Sequence, residues 1–355
     1  MSLETGGLEN GVVNLINNAS EECRVDVLCL RARGVLADRV VNPAANVYWN
    51  GKESSLKESV SILRELNANN KYDIIHSHGW TTLLVAVLGS VFFRSKVLNG
   101  EHGTLFFDSF KRRIIQKFLF KTISGNVTVS ASLRDEITKR LGLSHQNFTV
   151  VSNGVDTEKF KSSDETRFNI REKLNVEQGV FIVGTVGRLV PVKNYTFLVQ
   201  AFNEFRKNCS ESRLLIVGEG IEREKLQRLA EQLGILDVVI FTGERPDIAE
   251  LISSMDLFML TSLDEGMSNT LLEAMSSSVP VLASNVGGAQ EIVAEGKADA
   301  YPRYGPTMEW DIAAGHAILE HAGGTLTDFD GNKILYGKQD FKNPSLIVKG
   351  KIFYD

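Results

Sequence analysis

Short apolar runs alternate with amphipathic segments along most of the chain, and this alternation is typical of an α/β protein with a parallel sheet. In the first half, the pattern predicts strands over 25–30, 72–76, 96–99, 127–130 and 148–152, and helices over 8–16, 57–66, 81–91 and 133–141. In the second half, it predicts strands over 180–187, 213–217, 238–242, 257–261 and 279–283, and helices over 195–205, 222–233 and 248–255. The polar, charged stretch 156–178 between the halves predicts an interdomain linker.

The length, composition and charge of the chain indicate which general classes of protein it can belong to. Its 355 residues suffice for two domains that each bury a core, and the 43% hydrophobic and 23% charged residues are typical of a globular protein. A net charge of −5 argues against a nucleic-acid partner. The longest apolar run, 83–93, is interrupted by Gly89 and Ser90 and is too short to span a bilayer.

The cysteines and the first residues indicate a cellular location. Cys23, Cys29 and Cys209 have no metal-ligand spacing, so we expect reduced thiols. The first residues are polar and carry no secretory signal before the first helix pattern. Together these features predict a cytoplasmic protein.

The stretch 263–274, L-D-E-G-M-S-N-T-L-L-E-A, carries the strongest chemical signal in the chain. Gly266 lets a backbone amide approach an anion, and Ser268 can cap a helix whose free N–H groups and dipole favour phosphate. Glu265 precedes that helix and Glu273 lies on it, with seven residues between the two glutamates. One carboxylate can therefore face a sugar while the other accepts hydrogen bonds from a ribose.

This motif carries a family resemblance. E-G-M-S-N-T-L-L-E-A-M, followed by P-V-L-A-S-N-V-G-G-A-Q-E-I-V, resembles the donor site of family 4 retaining glycosyltransferases. The resemblance implies a GT-B architecture, in which two Rossmann-like parallel-sheet domains face a cleft. It places an acceptor-side domain at 1–157 and a nucleotide-sugar domain at 158–296. It also implies that Glu265 is catalytic at the donor sugar, that Glu273 binds the ribose, and that Gly266, Met267 and Ser268 complete the donor site.

Further donor-side residues follow the earlier strands of the second half. Arg188 and Lys193, in G-R-L-V-P-V-K-N, lie just after a predicted strand, where both cations can reach one diphosphate without a metal. They match the family residues that hold the donor phosphates. The remaining candidates for donor contact are Gly218, Gly220 and Arg245. The donor is expected to be a UDP- or GDP-sugar, with no cofactor or metal required.

Histidines end two predicted strands of the first half, as His76 and His78 in I-H-S-H-G and His102 in E-H-G. A single histidine is more often packed or solvated than catalytic, but three at strand ends favour a site. By resemblance His102 is catalytic, while His76 and His78 shape the acceptor pocket. A His-x-His pair without a third ligand does not favour zinc.

Two segments of the first half raise further expectations. Gly6 and Gly7 match the family's G-G-L-E turn on the acceptor side, yet no apolar strand precedes them, which predicts that the family's first strand is missing. The stretch 106–121 is basic and amphipathic, and predicts peripheral contact with the inner face of a membrane. The alternative is a helix whose apolar side packs on the sheet while its charges are solvated.

From residue 297 onward the resemblance changes. W-D-I-A-A-G and the residues around it resemble the C-terminal end of 3'(2'),5'-bisphosphate nucleotidases, which are inositol-monophosphatase-like. That resemblance makes Asp311 a magnesium ligand, but the family's Asp-Pro-x-Asp-Gly motif is absent from 1–296. A single ligand cannot hold the metal, so we expect no phosphatase activity and interpret Asp311 as a vestigial, helix-capping carboxylate. The tail, 297–355, is interpreted as a fused α+β fragment.

The leading hypothesis is an enzyme that transfers a hexose, with retention, from a nucleotide-sugar to a glycan or lipid-linked acceptor in polysaccharide biosynthesis. Because the first strand and the closing helices of the family are expected to be missing, we expect activity to be reduced or absent. The alternatives are a bisphosphate nucleotidase, supported by the tail alone, and a non-catalytic fusion remnant. The sugar, the base and the acceptor depend on pocket shape and are not predicted by these motifs.

Overall fold

The computed structural model describes residues 2–4, 6–20, 22–103, 110–294, 300–303, 307–321, 324–328, 330–344 and 346–349. The chain forms two compact units, Met1–Gly154 and Val155–Asp355. Each unit contains an α/β structure in which parallel strands alternate with helices, and the C-terminal unit also contains antiparallel strands.

The N-terminal unit follows the predicted order of elements. Its helices are α1 (Gly7–Asn17), α2 (Leu56–Asn70), α3 (Trp80–Ser90), α4 (Phe110–Thr122) and α5 (Ala131–Leu141). Its strands are β1 (Val27–Cys29), β2 (Val47–Trp49), β3 (Ile74–His78), β4 (Lys96–Glu101), β5 (Gly125–Thr128) and β6 (Phe148–Val150). The ends of the predicted strands differ from these by at most two residues, and β2 was not predicted.

The strands of this unit form two separate parallel sheets. One pairs β1 with β2, and the other has the order β3-β4-β5-β6. Leu28 and Leu30 nevertheless pack with Ile75 in one apolar cluster, so β1 and β3 share a core without sharing hydrogen bonds. The polar ends of β3 and β4 lie at one edge, because their register pairs His78 with Gly100.

The C-terminal unit contains the longer sheet. Its helices are α6 (Asp164–Lys173), α7 (Tyr195–Arg206), α8 (Arg223–Gln232), α9 (Ile248–Ser253), α10 (Asn269–Ser276), α11 (Ala289–Ala294) and α12 (Glu309–His321). Its first strands are β7 (Phe181–Val186), β8 (Ser212–Val217), β9 (Val239–Gly243), β10 (Leu257–Leu260) and β11 (Val281–Ala283). The tail adds β12 (Ala300–Arg303), β13 (Thr307–Met308), β14 (Thr325–Asp328), β15 (Lys342–Asn343) and β16 (Leu346–Lys349).

The main sheet of the C-terminal unit is parallel throughout, in the order β11-β10-β7-β8-β9. Both of its faces are covered by helices, and neighbouring residues of one strand therefore enter different cores. Ile182 and Leu215 belong to one apolar cluster, while Val183 and Leu214 belong to the other. This double burial explains why the strands read as continuous apolar runs in the sequence.

The predicted linker 156–178 contains a helix, so that prediction is wrong over α6. Ser163 caps α6 by accepting a hydrogen bond from the Thr166 N–H. Arg171 on this helix is fully buried, and it donates to the Ser254 carbonyl and pairs with Asp256. Because Arg171 is charged, the sequence of this segment resembles that of a solvent-exposed linker, although the segment is part of the domain.

The tail differs from the rest of the unit in its strand direction. The sheet β12-β16-β14 is antiparallel. It packs its own small apolar cluster, which contains Ile312, Leu326, Ile334 and Leu346. Among the described residues, no helix is long and apolar enough to cross a membrane.

Candidate functional site

The predicted donor residues of the C-terminal unit follow strands of one parallel sheet. Arg188 follows β7, Gly218 follows β8, Arg245 follows β9 and Glu265 follows β10. Because these four strands are parallel and lie side by side, their following loops share one edge. The sheet thus gathers the candidate residues at the end where α/β proteins bind ligands.

The loops after β7 and β8 are in direct backbone contact. The Gly187 N–H donates to the Val217 carbonyl at 2.9 Å, and the Leu189 N–H donates to the Glu219 carbonyl at 2.8 Å. A Cβ at Gly218, where φ is +134°, would lie 2.1 Å from the Gly187 carbonyl oxygen, and one at Gly220 would lie 2.4 Å from that of Leu189. Glycine is therefore required at both positions to hold the two loops together.

The two predicted phosphate-binding cations have different surroundings. The Arg188 side chain is exposed and forms no ion pair with any residue in the described part of the chain. Lys193 ends the 3-10 turn Pro191–Lys193 and forms an ion pair with Glu265. Leu263 fixes the spacing of these loops, since its N–H donates to the Val192 carbonyl at 2.8 Å.

The loop that carries Glu265 is held on several sides. Its Oε1 atom accepts a hydrogen bond from Ser262 Oγ at 2.7 Å in addition to the Lys193 pair. The Gly288 N–H donates to the Gly266 carbonyl at 2.8 Å. At Gly287, where φ is +52°, a Cβ would lie 1.6 Å from the Glu265 carbonyl oxygen, so this close approach requires glycine. The Glu265 carboxylate is consequently fixed in orientation.

Helix α10 begins directly after this loop. Ser268 is its N-cap, and the Ser268 hydroxyl accepts a hydrogen bond from the Leu271 N–H at 3.3 Å. Gly266 and Met267, which precede the cap, are buried. The predicted cap is confirmed, and it places the positive end of a helix dipole beside the Glu265 loop.

Glu273 lies on α10 and is half-buried. Burial raises the pKa of its carboxyl group to about 7, although the nearby charge of Lys159 acts in the opposite direction. The group therefore changes its protonation state near neutral pH. The Arg245 side chain, by contrast, is held by Asp247, with Nε to Oδ1 at 2.8 Å and Nη2 to Oδ2 at 2.5 Å.

The histidines of the N-terminal unit form a cluster at the carboxyl ends of β3 and β4. His78 Nδ1 lies 3.0 Å from His102 Nε2, and the His76 and His78 ring centroids are 4.2 Å apart. Burial lowers the pKa of His78 to about 2 and that of His102 to about 4, with the neighbouring His76 acting in the same direction. The structure thus brings together the three histidines that the sequence singled out.

The Gly6-Gly7 turn precedes α1, with Gly6 at the N-cap position. A Cβ at Gly6 would lie 2.2 Å from Glu9 Oε2, which means that the Glu9 carboxylate covers this glycine. The first turn of α1 therefore carries an acidic group of its own.

Helix α4 exposes apolar side chains in a regular row. Phe110, Ile114 and Phe118 are spaced four residues apart and are 70%, 54% and 64% exposed. The buried side chains of α4, Leu119 and Phe120 among them, lie on the opposite face of the helix. The alternative in which the apolar side packs on the sheet is therefore wrong for these three side chains. The predicted stretch begins at Phe106, and 106–109 lie outside the described residues.

Several predictions concerned cysteines and metals. Cys23 is exposed, Cys29 is buried, and all three cysteines are free. No group of three or more His, Cys, Asp or Glu side chains within the described ranges is arranged to hold a metal. Asp311 belongs to α12, but its side chain lies outside the described residues.

Sequence reasoning missed two residues that support the site, Ser262 and Gly287. Gly287 belongs to the V-G-G stretch of the quoted motif, and that glycine pair was the available signal. Nothing in the sequence pointed to Ser262, because its role depends on a hydrogen bond to Glu265 that forms only in the folded loop.

Two protein-family models match the chain, one mostly over the N-terminal unit and the other within the C-terminal unit. The model of Glycosyltransferase Family 4 matches residues 5–159, and the model of Glycosyl transferases group 1 matches residues 166–302. The fold resembles that of HepE from Anabaena, solved in complex with UDP-glucose, with a TM-score of 0.72 over 82% of this chain and 81% of that one, at 23% sequence identity. The chain therefore has the two-domain GT-B fold, and the two family models match successive parts of it.

Two curated relatives are also similar in sequence to these GT-B domains. The uncharacterized glycosyltransferase MJ1607 of Methanocaldococcus jannaschii is 28% identical over 257 residues, which are 68% of this chain and 66% of that protein. The UDP-Gal:alpha-D-GlcNAc-diphosphoundecaprenol alpha-1,3-galactosyltransferase of Escherichia coli is 29% identical over 246 residues, 65% of this chain and 62% of that protein. The chain thus spans less than two thirds of the length of each. Residues 303–355 lie beyond both family models.

Proposed function

We propose that this chain transfers a hexose from a nucleotide-sugar to a glycan or lipid-linked acceptor, with retention of the anomeric configuration. The observation that carries this proposal is the arrangement of charges at the carboxyl edge of the C-terminal sheet. An exposed arginine, a lysine–glutamate pair and a capped helix N-terminus all follow neighbouring strands there.

Departure of the nucleotide leaves negative charge on its diphosphate, which must be stabilised for the sugar to transfer. Arg188 has a guanidinium free to form a bidentate contact with phosphate oxygens. Lys193 can exchange its partner Glu265 for a phosphate, since both are side chains of partly exposed loops. Gly266, Met267 and Ser268 add the backbone N–H groups at the start of α10. These groups allow the reaction to proceed without a metal.

The two glutamates contact the two remaining parts of the donor, the hexose and the ribose. Glu265, released from Lys193, contacts the hexose near its anomeric carbon as the catalytic carboxylate. Glu273 accepts hydrogen bonds from the ribose hydroxyls, for which it must be ionised. His102 contacts the reacting sugars from the N-terminal unit, and Gly6, Gly7, His76 and His78 shape the acceptor side. Gly218, Gly220 and Arg245 complete the donor pocket around the nucleotide.

The relatives support a UDP- or GDP-sugar donor and a lipid-linked acceptor. The name of the E. coli relative specifies UDP-galactose and a diphosphoundecaprenol acceptor, and HepE was solved with UDP-glucose. An acceptor of this kind lies at a membrane surface. The exposed row Phe110, Ile114 and Phe118, together with the basic residues of α4, suits peripheral binding to an anionic bilayer. These features support the proposal of a role in polysaccharide biosynthesis at the inner face of the membrane.

The tail is assigned to a fragment of a bisphosphate nucleotidase fused to the transferase domains. Its antiparallel strands and separate core distinguish it from the parallel sheets, and the match to the group 1 model ends at residue 302. With one candidate ligand, Asp311, it has no phosphatase function. Because the fusion replaces the segments that follow in the family, turnover is expected to be reduced.

The donor assignment is tested by calorimetric titration of the chain with UDP and with GDP. Micromolar binding of one nucleotide is expected, and Arg188→Ala should weaken it by about 10- to 100-fold, because it removes a charge-assisted bidentate contact. Arg228→Ala is the matched control, since Arg228 is exposed on α8 and pairs only weakly with Glu224. The absence of binding by protein that melts cooperatively would contradict the proposal.

Transfer itself is tested by following nucleotide release from UDP- and GDP-sugars in the presence of lipid-linked acceptors. Retention is read from the anomeric proton coupling of the product. Binding without transfer to any acceptor would favour the alternative of a non-catalytic remnant, whereas rapid transfer would show that the expected impairment is wrong.

A further inference from the structure

We propose that His78 is a positioning residue, which fixes the ring orientation and the tautomer of His102. The inference rests on the proposed role of His102 at the reacting sugars, but its structural part can be tested separately. The observation behind it is a nitrogen-to-nitrogen contact of 3.0 Å between His78 Nδ1 and His102 Nε2.

The contact is formed over a glycine that leaves room for it. The β3–β4 register pairs His78 with Gly100, so the two histidine rings stand over the Gly100 backbone. A Cβ at Gly100 would lie 3.1 Å from His78 Nδ1 and 3.1 Å from His102 Nε2. The same position would lie 3.3 Å from His76 Nε2. The ring nitrogens of all three histidines therefore converge on one small space.

A contact of this length between two imidazole nitrogens requires one N–H and one lone pair. Burial keeps both rings neutral at pH 7, because it lowers the pKa values of His78 and His102. A neutral imidazole carries a single N–H. Whether His102 Nε2 carries the proton of this contact therefore determines whether His102 Nδ1 is a hydrogen-bond acceptor or a donor. If His102 donates through Nε2, its Nδ1 is an acceptor; if His102 accepts there, its Nδ1 is a donor.

His78 can hold the contact in one geometry because its own backbone is fixed. Its N–H donates to Thr82 Oγ1 at 2.9 Å, and the Thr82 hydroxyl lies 2.7 Å from the His78 carbonyl oxygen. The His76 ring lies against the His78 ring at an interplanar angle of 41°. The buried carboxyl group of Glu101 belongs to the opposite face of β4, where Asn99 donates to it, and it takes no part in the contact.

The test measures imidazole nitrogen resonances in the full chain, in which six histidines can be assigned by single substitutions. In the wild type, His102 should populate one tautomer, with a scalar coupling to the facing His78 nitrogen. In His78→Phe the His102 resonances should shift toward a mixture of tautomers, whereas in His78→Gln the His102 Nε2 atom should keep a hydrogen-bond partner, because an amide can either donate or accept. His145→Gln, at an exposed site, should change nothing.

A second readout connects the pair to transfer. His78→Phe should lower kcat by about tenfold or more, with little change in the KM for the donor, and His78→Gln should recover most of the loss. If no transfer is found, the proposed function fails while the resonances still decide the inference. A wild type without the coupling, or a His78→Phe variant with an unchanged His102 tautomer, would overturn it. The wild-type measurement does not depend on any variant folding.

Discussion

At the scale of single residues, the proposed donor side contains charged groups that are paired with each other or kept neutral by burial. Lys193 and Glu265 pair with each other, and Ser262 donates to the same carboxylate. Glu273 has its pKa raised to about 7 by burial, so folding favours its neutral form. In the unfolded chain this carboxyl group loses its proton at a lower pH than it does in the folded chain. The free energy of unfolding therefore decreases as the pH rises toward 7, because over this range the unfolded state is stabilised by ionisation of Glu273.

The Glu273 carboxyl group should make donor affinity depend on pH. Its ionised form accepts hydrogen bonds from ribose hydroxyls, so the affinity for UDP-glucose should rise by about tenfold between about pH 6 and about pH 8. The diphosphate of that ligand does not titrate in this range. Calorimetric titration of the wild type and of Glu273→Gln measures the effect. An equal rise in the Gln variant would show that another group is responsible.

The family resemblance of the motifs that contain them, together with residue types and spacing, singled out Arg188, Lys193, Glu265 and Glu273 in the sequence. What the sequence did not contain was their pairing, since the Lys193–Glu265 contact joins loops after two different strands. The role of Gly287 was hidden for the same reason. Its requirement for glycine arises from the Glu265 carbonyl, which approaches it only in the folded protein.

At the scale of elements, periodicity predicted most strands of the parallel sheets, because apolar burial dominates their composition. It failed at α6, where Arg171 is charged and fully buried, and at the three-residue strand β2. In both cases a long-range partner, rather than the local pattern, decides the structure. For α4, periodicity predicted an amphipathic segment, but the pattern alone could not decide whether its apolar row is buried.

Helix α4 should bind anionic membranes through that exposed row. The chain should float with liposomes that contain phosphatidylglycerol, and Ile114→Ser together with Phe118→Ser should weaken binding by about tenfold or more, because apolar area no longer enters the bilayer. Raised salt should weaken binding as well, since the basic residues of α4 contribute.

The matched control for the membrane experiment is Ile221→Ser, since Ile221 is 83% exposed in the C-terminal unit. This variant should bind as the wild type does. Equal binding of all variants, or equal binding to neutral phosphatidylcholine, would exclude α4 as the membrane contact.

At the scale of the whole molecule, the chain forms two α/β units with parallel sheets, and the second unit ends in an antiparallel tail. The sequence predicted this change of architecture from the change of motif near residue 297. It could not predict that the strands of the N-terminal unit divide into two sheets, because such pairing depends on which strands lie next to each other.

The tail should not hydrolyse phosphate esters. With Mg²⁺ and 3'-phosphoadenosine 5'-phosphate, the chain should release no more phosphate than its Asp311→Asn variant, because one carboxylate cannot hold the metal ions against a phosphate. A colorimetric phosphate assay with equal protein concentrations makes the comparison. Magnesium-dependent release that the Asn variant loses would show that this prediction is wrong.

The contact between Gly218 and the Gly187 carbonyl predicts the phenotype of mutations in the Gly218 codon. Because no side chain fits at Gly218, a missense change there displaces the loop that carries Arg188. Such an allele would have the phenotype of a lost arginine although the arginine codon is intact. Suppressors of it should therefore arise in the 187–189 loop before they arise elsewhere in the gene.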